Sequence, residues 1–114
     1  MTKILIPVED LKFGEAQIDF LAKHELPAET EFTLMTVITP LVVQDYGFAV
    51  PSTYLDIIVN EDEKRSKKLL HELEEKLKKK FPSAKVTLKV AMGAAAGEIL
   101  HEAKEEAHDW IVMG

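Results

Sequence analysis

Four short apolar runs, separated by stretches with helical periodicity, constrain this chain more than any other feature. Residues 2–8, TKILIPV, are dense in isoleucine and valine and read as a strand buried on both faces. Pro7 has no N–H to give a neighbouring strand, so it belongs at the strand's end. Residues 31–39, EFTLMTVIT, form a second run, closed by Pro40. In residues 84–92, AKVTLKVAM, Val86, Leu88 and Val90 alternate with Lys85, Thr87 and Lys89. That period of two marks a strand with one wet face, or an edge strand. Residues 110–113, WIVM, read as a fourth, buried strand, and Gly114 follows it.

The stretches between these runs have helical spacing. In residues 13–24, Phe13, Ala16, Gln17, Phe20, Leu21 and His24 recur at three and four, giving an apolar stripe with a polar end. Pro27 disfavours helix at Leu26. Residues 41–54 read as a loop, punctuated by Gly47 and Pro51 and carrying Val42, Val43, Tyr46, Phe48 and Val50. Residues 55–80 read as a long helix with Leu55, Ile58, Val59, Asp62, Ser66, Leu69, Leu73 and Leu77 on one face. Glu61 precedes Arg65, and Glu72 precedes Lys76, at i,i+4, where an ion pair adds about 0.3 kcal/mol. Lys78, Lys79 and Lys80 place positive charge at the negative end of the helix dipole. Residues 93–108, GAAAGEILHEAKEEAH, read as a loop entering a helix with Ile99, Leu100, Ala103 and Ala107 buried.

Strands alternating with helices imply right-handed crossovers and an open parallel sheet with helices on both faces. Ligands in such sheets bind beyond the carboxyl ends of the strands, where the strand order reverses. Those ends are Pro7-Val8-Glu9-Asp10, Val37-Ile38-Thr39, Met92-Gly93 and Met113-Gly114. The length of 114 residues suits one domain spanning 1–114. A net charge of −6 argues against a nucleic-acid surface, which needs a basic face. No apolar run reaches the ~20 residues of a membrane span, and the start MTKILIPVED lacks the features of a signal peptide. Cysteine is absent, which excludes disulfides and thiolate chemistry. A cytoplasmic protein without membrane or nucleic-acid partners is the expectation.

At the residue level the chain resembles the universal stress protein family along its whole length. KILIPVED is similar to that family's first strand and TLMTVI to its second. MGAAAGEILHEAKEEAHDWIVMG resembles the family's most recognisable stretch, with Gly93, Ile99, Ala103, Asp109, Ile111, Val112, Met113 and Gly114 in place. The resemblance implies a Rossmann-like sheet of the adenine nucleotide alpha hydrolase type, ordered 3-2-1-4-5. In the family a helix and the fifth strand follow the position that Gly114 matches, and in its nucleotide-binding members a phosphate loop G-x-x-G-x9-G-(S/T) begins there, the motif that decides between ATP binding and its absence. Nucleotide-binding members hold ATP, with or without Mg²⁺, at the switch point between the first and fourth strands. Carried over by position, the nucleotide-binding residues are Pro7, Val8, Glu9, Val37, Met113 and Gly114. Of these, Val37 meets adenine through its backbone, Pro7 and Glu9 flank base and ribose, and Gly114 lies on the ribose side. Glu9 stands where the family has Asp, which displaces the carboxylate from a ribose hydroxyl that it must approach to ~2.7 Å. Ala95 replaces a proline before the last helix. The implied role is a stress-response regulatory module, a homodimer that binds ATP and at most hydrolyses it slowly. The alternative is an interaction subunit of the same fold that binds no nucleotide.

Other motifs carry less. Glu9-Asp10 resembles the acidic start of a response-regulator receiver, but Asp56 precedes its apolar run and no lysine follows KVAM; a solvated turn carboxylate is the plainer reading of Asp10. His71 and His101 each begin His-Glu, yet Glu75 and Glu105 occupy the places a zinc-protease helix reserves for its second histidine. His101, Glu105 and His108 fall at i, i+4 and i+7, a metal-capable face whose plainer reading is surface histidines. GAAAG lacks the G-K-(S/T) of a phosphate loop, so a tight strand-to-helix turn is its plainer reading. No G-x-S-x-G supports a serine nucleophile.

Overall fold

The computed structural model describes residues 2–27, 29–39 and 52–113, with the side chains of 52–59 left aside. The elements are β1 (Thr2–Pro7), α1 (Leu11–Ala22), β2 (Thr30–Ile38), α2 (Ser52–Lys80), β3 (Lys85–Met92), α3 (Ala95–Glu105) and β4 (Trp110–Ile111). Most of the expected loop at 41–54 lies outside the described residues; its last three positions already belong to α2. All pairings are parallel, and the sheet is ordered β3-β2-β1-β4. Among the described residues β3 is an edge strand, as its alternating sequence implies.

Ile4, Leu5 and Ile6 of β1 have no exposed surface, so the central strand is buried on both faces. On one face Ile4, Ile6, Phe32 and Leu34 meet Ile18 and Leu21 of α1 and Leu70, Leu73 and Leu77 of α2. Val86, Leu88 and Val90 extend this layer under α2. The other face is polar. The register lines up Lys3, Glu31 and Lys85 in one row and Leu5, Thr33 and Thr87 in the next. α3 covers that second face. Its buried residue is Glu102, whose carboxylate pairs with Lys89, while Leu100 is 58% exposed. The expectation of an apolar underside built on Leu100 and Ala107 is therefore corrected: the surface beneath offers lysine and threonine, so the helix turns a carboxylate toward it.

α1 also differs from its expected stripe. Gly14, Gln17, Ile18 and Leu21 face inward, whereas Phe13 and Phe20 are about half exposed. The reason is a close helix crossing. A Cβ on Gly14 would lie 2.5 Å from a Leu73 methyl, so the glycine is what lets α1 settle on α2. Lys76 crosses to Glu15 and Asp19 of α1 (3.6 and 3.2 Å) in place of the expected partner Glu72, and Arg65 reaches Asp62 at 3.5 Å in place of Glu61. The fourth strand was expected to be buried, yet Trp110, Ile111 and Met113 are 50%, 38% and 63% exposed. β4 has β1 on one side and, among the described residues, no strand on the other.

The i, i+4, i+7 face of His101, Glu105 and His108, read as plain surface histidines, does not form as one helix face. The helix stops at Glu105, and Ala107 takes φ of 51°. Its N–H donates to Lys104 O and that of His108 to Ala103 O, the double bond pattern that reverses a helix end. His108 is thereby swung under the helix, its Nε2 3.0 Å from Thr33 Oγ1 and apart from His101 and Glu105. Among the described residues no group of metal-ligating side chains gathers.

Two predictions follow from this packing. Gly14→Val should lower stability by about 1–3 kcal/mol, the range for overpacking a filled core, measured by urea denaturation. The hydrogen bond and charge of Glu102 hold the Lys89 ammonium above its ordinary value of 10.5. Lys89 thus keeps its proton in the folded chain where the unfolded chain loses it, a contribution complete below pH 10.5 and lost as pH climbs through the higher folded value. Glu102→Gln should flatten that alkaline fall in the denaturation midpoint; an unchanged slope would show the pair to be inert.

Candidate functional site

The sheet order reverses at β1: the chain moves outward through β2 to β3, then crosses back to place β4 on the other side of β1. The connections leaving the strand tips diverge there, which opens a crevice at the carboxyl ends. A cleft of ≈ 350 Å³ occupies this place, lined by Pro7, Val8 and Glu9 after β1, Met35, Thr36 and Val37 of β2, Phe13 and Gln17 of α1, Ala95 and Ile99 of α3, and Met113 after β4. Five of the six expected site residues, Pro7, Val8, Glu9, Val37 and Met113, thus converge on one cavity. The sixth, Gly114, lies outside the described residues.

Each wall has a local cause. Val8 N–H donates to Met35 O (2.8 Å), which carries the parallel ladder one residue beyond β1 and buries Val8. Glu9 is then free of the sheet, and its exposed carboxylate stands at the rim. Asp10 is the N-cap of α1: its extended backbone (φ −149°) lets Oδ1 accept from Phe13 N–H at 2.8 Å. Asp10 is therefore a structural carboxylate, bound to a helix start, and is not half of an acidic pair with Glu9. The signal was present in the sequence as an aspartate followed by a helical run.

The GAAAG segment makes the turn between β3 and α3. Gly93 sits at φ +146°, where a side chain would also strike Glu98, and its N–H donates to Ile38 O at 3.0 Å. This turn places Ala95 and Ile99 against the cleft. A neighbouring hollow of ≈ 240 Å³ shares Glu9, Thr36 and Val37 and adds Arg65 from α2.

By sequence Gln17 is only one position of the helix stripe. The structure makes it a wall of the cleft, 4% exposed, with Nε2 donating to Pro7 O (2.8 Å) and Val112 O (2.7 Å). It bridges the tips of β1 and β4. Among the described residues its Oε1 is buried without a hydrogen-bond partner. A glutamine between apolar helix positions is the trace this leaves in the sequence.

A parallel sheet with helices on both faces and a crevice at its switch point defines an open, doubly wound α/β protein. The chain belongs to the universal stress protein family, whose model matches residues 1–114. Solved structures share the fold. The protein MJ0577 superposes with a TM-score of 0.78 at 19% identity over 96% of this chain and 71% of that one. The universal stress protein UspA from Lactobacillus plantarum gives 0.75 at 17% identity, over 99% and 76%. A universal stress family protein from Burkholderia pseudomallei gives 0.72 at 15% identity, over 99% and 80%. No curated protein sequence matches the chain. Among the described residues no helix is long and apolar enough to cross a membrane.

Asp10→Ala should cost about 1 kcal/mol of stability through the lost cap and leave Glu9 chemistry unchanged. Paired urea titrations of Asp10→Ala and Glu9→Ala check the division: Glu9→Ala is expected to stay within ±0.5 kcal/mol of the parent.

Proposed function

We propose that the cleft binds the adenosine part of ATP and that the protein is a cytoplasmic stress-response regulatory module acting as a homodimer. The observation that carries this reading is the meeting of Pro7, Val8, Glu9, Val37 and Met113 around one cavity at the switch point. The volume of ≈ 350 Å³ lies at the low end of the 300–1,000 Å³ of small-molecule sites, a size for a base and sugar and not for a whole triphosphate. In this reading adenine lies against the backbone of Val37 and the side chains of Pro7 and Ile99. Glu9 at the rim faces the ribose. The phosphates, and any Mg²⁺ with them, extend past Met113. Glu9 is the single titratable side chain lining the cleft among the described residues, and it is exposed.

The alternative, an interaction subunit without a nucleotide, draws support from the exposed apolar strip of Phe13, Phe20, Ile111 and Met113 along α1 and β4. The same strip is the surface on which a homodimer reading rests.

Titration with ATP separates the two. A nucleotide at 100 times its Kd stabilises the native state by ~2.7 kcal/mol, which a thermal-shift assay resolves. Val37→Trp, which fills the cleft, should abolish the shift. Absence of any shift at millimolar ATP would leave the interaction reading.

A further inference from the structure

The cleft depends on β4 staying beside β1, and Pro7 weakens that pairing at its most important point. Leu5 lies opposite Ile111 in the parallel register, and Val112 N–H donates to Leu5 O at 2.9 Å. Two residues further along β1, the same pattern calls for the N–H of residue 7 to meet the carbonyl of Val112. Pro7 has no N–H, so the ladder breaks there and Val112 O is left without its strand partner. On the other side of β1 the ladder is intact, because Val8 N–H reaches Met35 O.

Gln17 occupies the break. Its Nε2 lies 2.7 Å from Val112 O and 2.8 Å from Pro7 O. Both protons of one amide are thus used on two carbonyls from adjacent strands. The orientation is fixed: turning the amide over would bring Oε1 against both carbonyl oxygens. Among the described residues Oε1 is buried with no partner, in keeping with a side chain held by its nitrogen.

We propose that Gln17 is a side-chain splice that supplies the hydrogen bond Pro7 cannot donate, and a positioning residue that sets the spacing of the β1 and β4 tips bounding the cleft. The proline shapes the end of β1, and the glutamine ten residues later restores the join that the proline removes. The splice needs no ligand, so its test and that of the nucleotide reading fail separately.

Amide hydrogen exchange, followed by NMR, reads the splice directly. The variants are Gln17→Met, which keeps the volume and removes the donors, and Pro7→Ala, which gives residue 7 an N–H able to meet Val112 O. In Gln17→Met the Val112 amide should exchange roughly tenfold faster or more, the effect of losing one to two hydrogen bonds, while the core amides of Leu34 and Leu73 change less. In the Pro7→Ala background the same substitution should accelerate Val112 by about threefold or less, because the backbone now makes the bond. Equal acceleration in both backgrounds overturns the proposal, as does a Val112 rate that changes no more than those of Leu34 and Leu73. Should Gln17→Met fail to fold alone, its recovery by Pro7→Ala supports the splice, and failure of the double variant to fold overturns it.

Discussion

Parallel pairing of β1 with strands on both of its sides is the constraint on which this structure turns. β1 carries Ile4, Leu5 and Ile6, all fully enclosed, and it is the strand at which the sheet changes direction. Right-handed crossovers then leave no choice about the helices: α1 and α2 fall on one face and α3 on the other. The crevice at the carboxyl end of β1 results from the same reversal. One strand therefore supplies the centre of the core and the floor of the candidate site, and a change that loosens it acts on both.

The two faces of the sheet are held in different ways. Beneath α1 and α2 the contact is apolar and tight enough that Gly14 cannot carry a side chain without displacing Leu73. Beneath α3 it is polar: Glu102 joins Lys89, and His108 meets Thr33. A buried carboxylate paired with a lysine adds little net stability, yet removing one partner is expensive. The polar face thus fixes where α3 lies more than how firmly it is held. Because α3 brings Ala95 and Ile99 to the cleft, that placement sets one of its walls.

Element types and their order were legible because hydrophobic period is a local property. The strand-end residues followed from topology, and their family roles from resemblance. Faces were harder to read. Phe13 and Phe20 are large and regularly spaced, and periodicity alone turns them inward, but the approach of α2 at Gly14 rotates the buried side of α1 toward Ile18 and Leu21. Leu100 misleads for the opposite reason: α3 packs on lysine and threonine, so the best burial goes to Glu102. His108 left its expected helix face because Ala107 adopts a left-handed conformation that residue type does not announce. Gln17 escaped notice because its partners, Pro7 and Val112, are 10 and 95 residues away, and only the missing N–H of proline hints that a donor must come from elsewhere.

The cleft and the exposed strip beside it are not independent surfaces. Phe13, Gln17 and Met113 border both the cleft and the groove between α1 and β4. Phe13 and Met113 are substantially exposed, so a chain laid along that groove would touch residues that also border the cleft. Gln17 lies at the boundary, holding together the strand tips that form the shared wall. If covering the groove alters ligand affinity by some factor, occupancy of the cleft alters affinity for the covering chain by the same factor, because linkage is reciprocal. The nucleotide and interaction readings therefore call on the same wall of three side chains and one pair of strands.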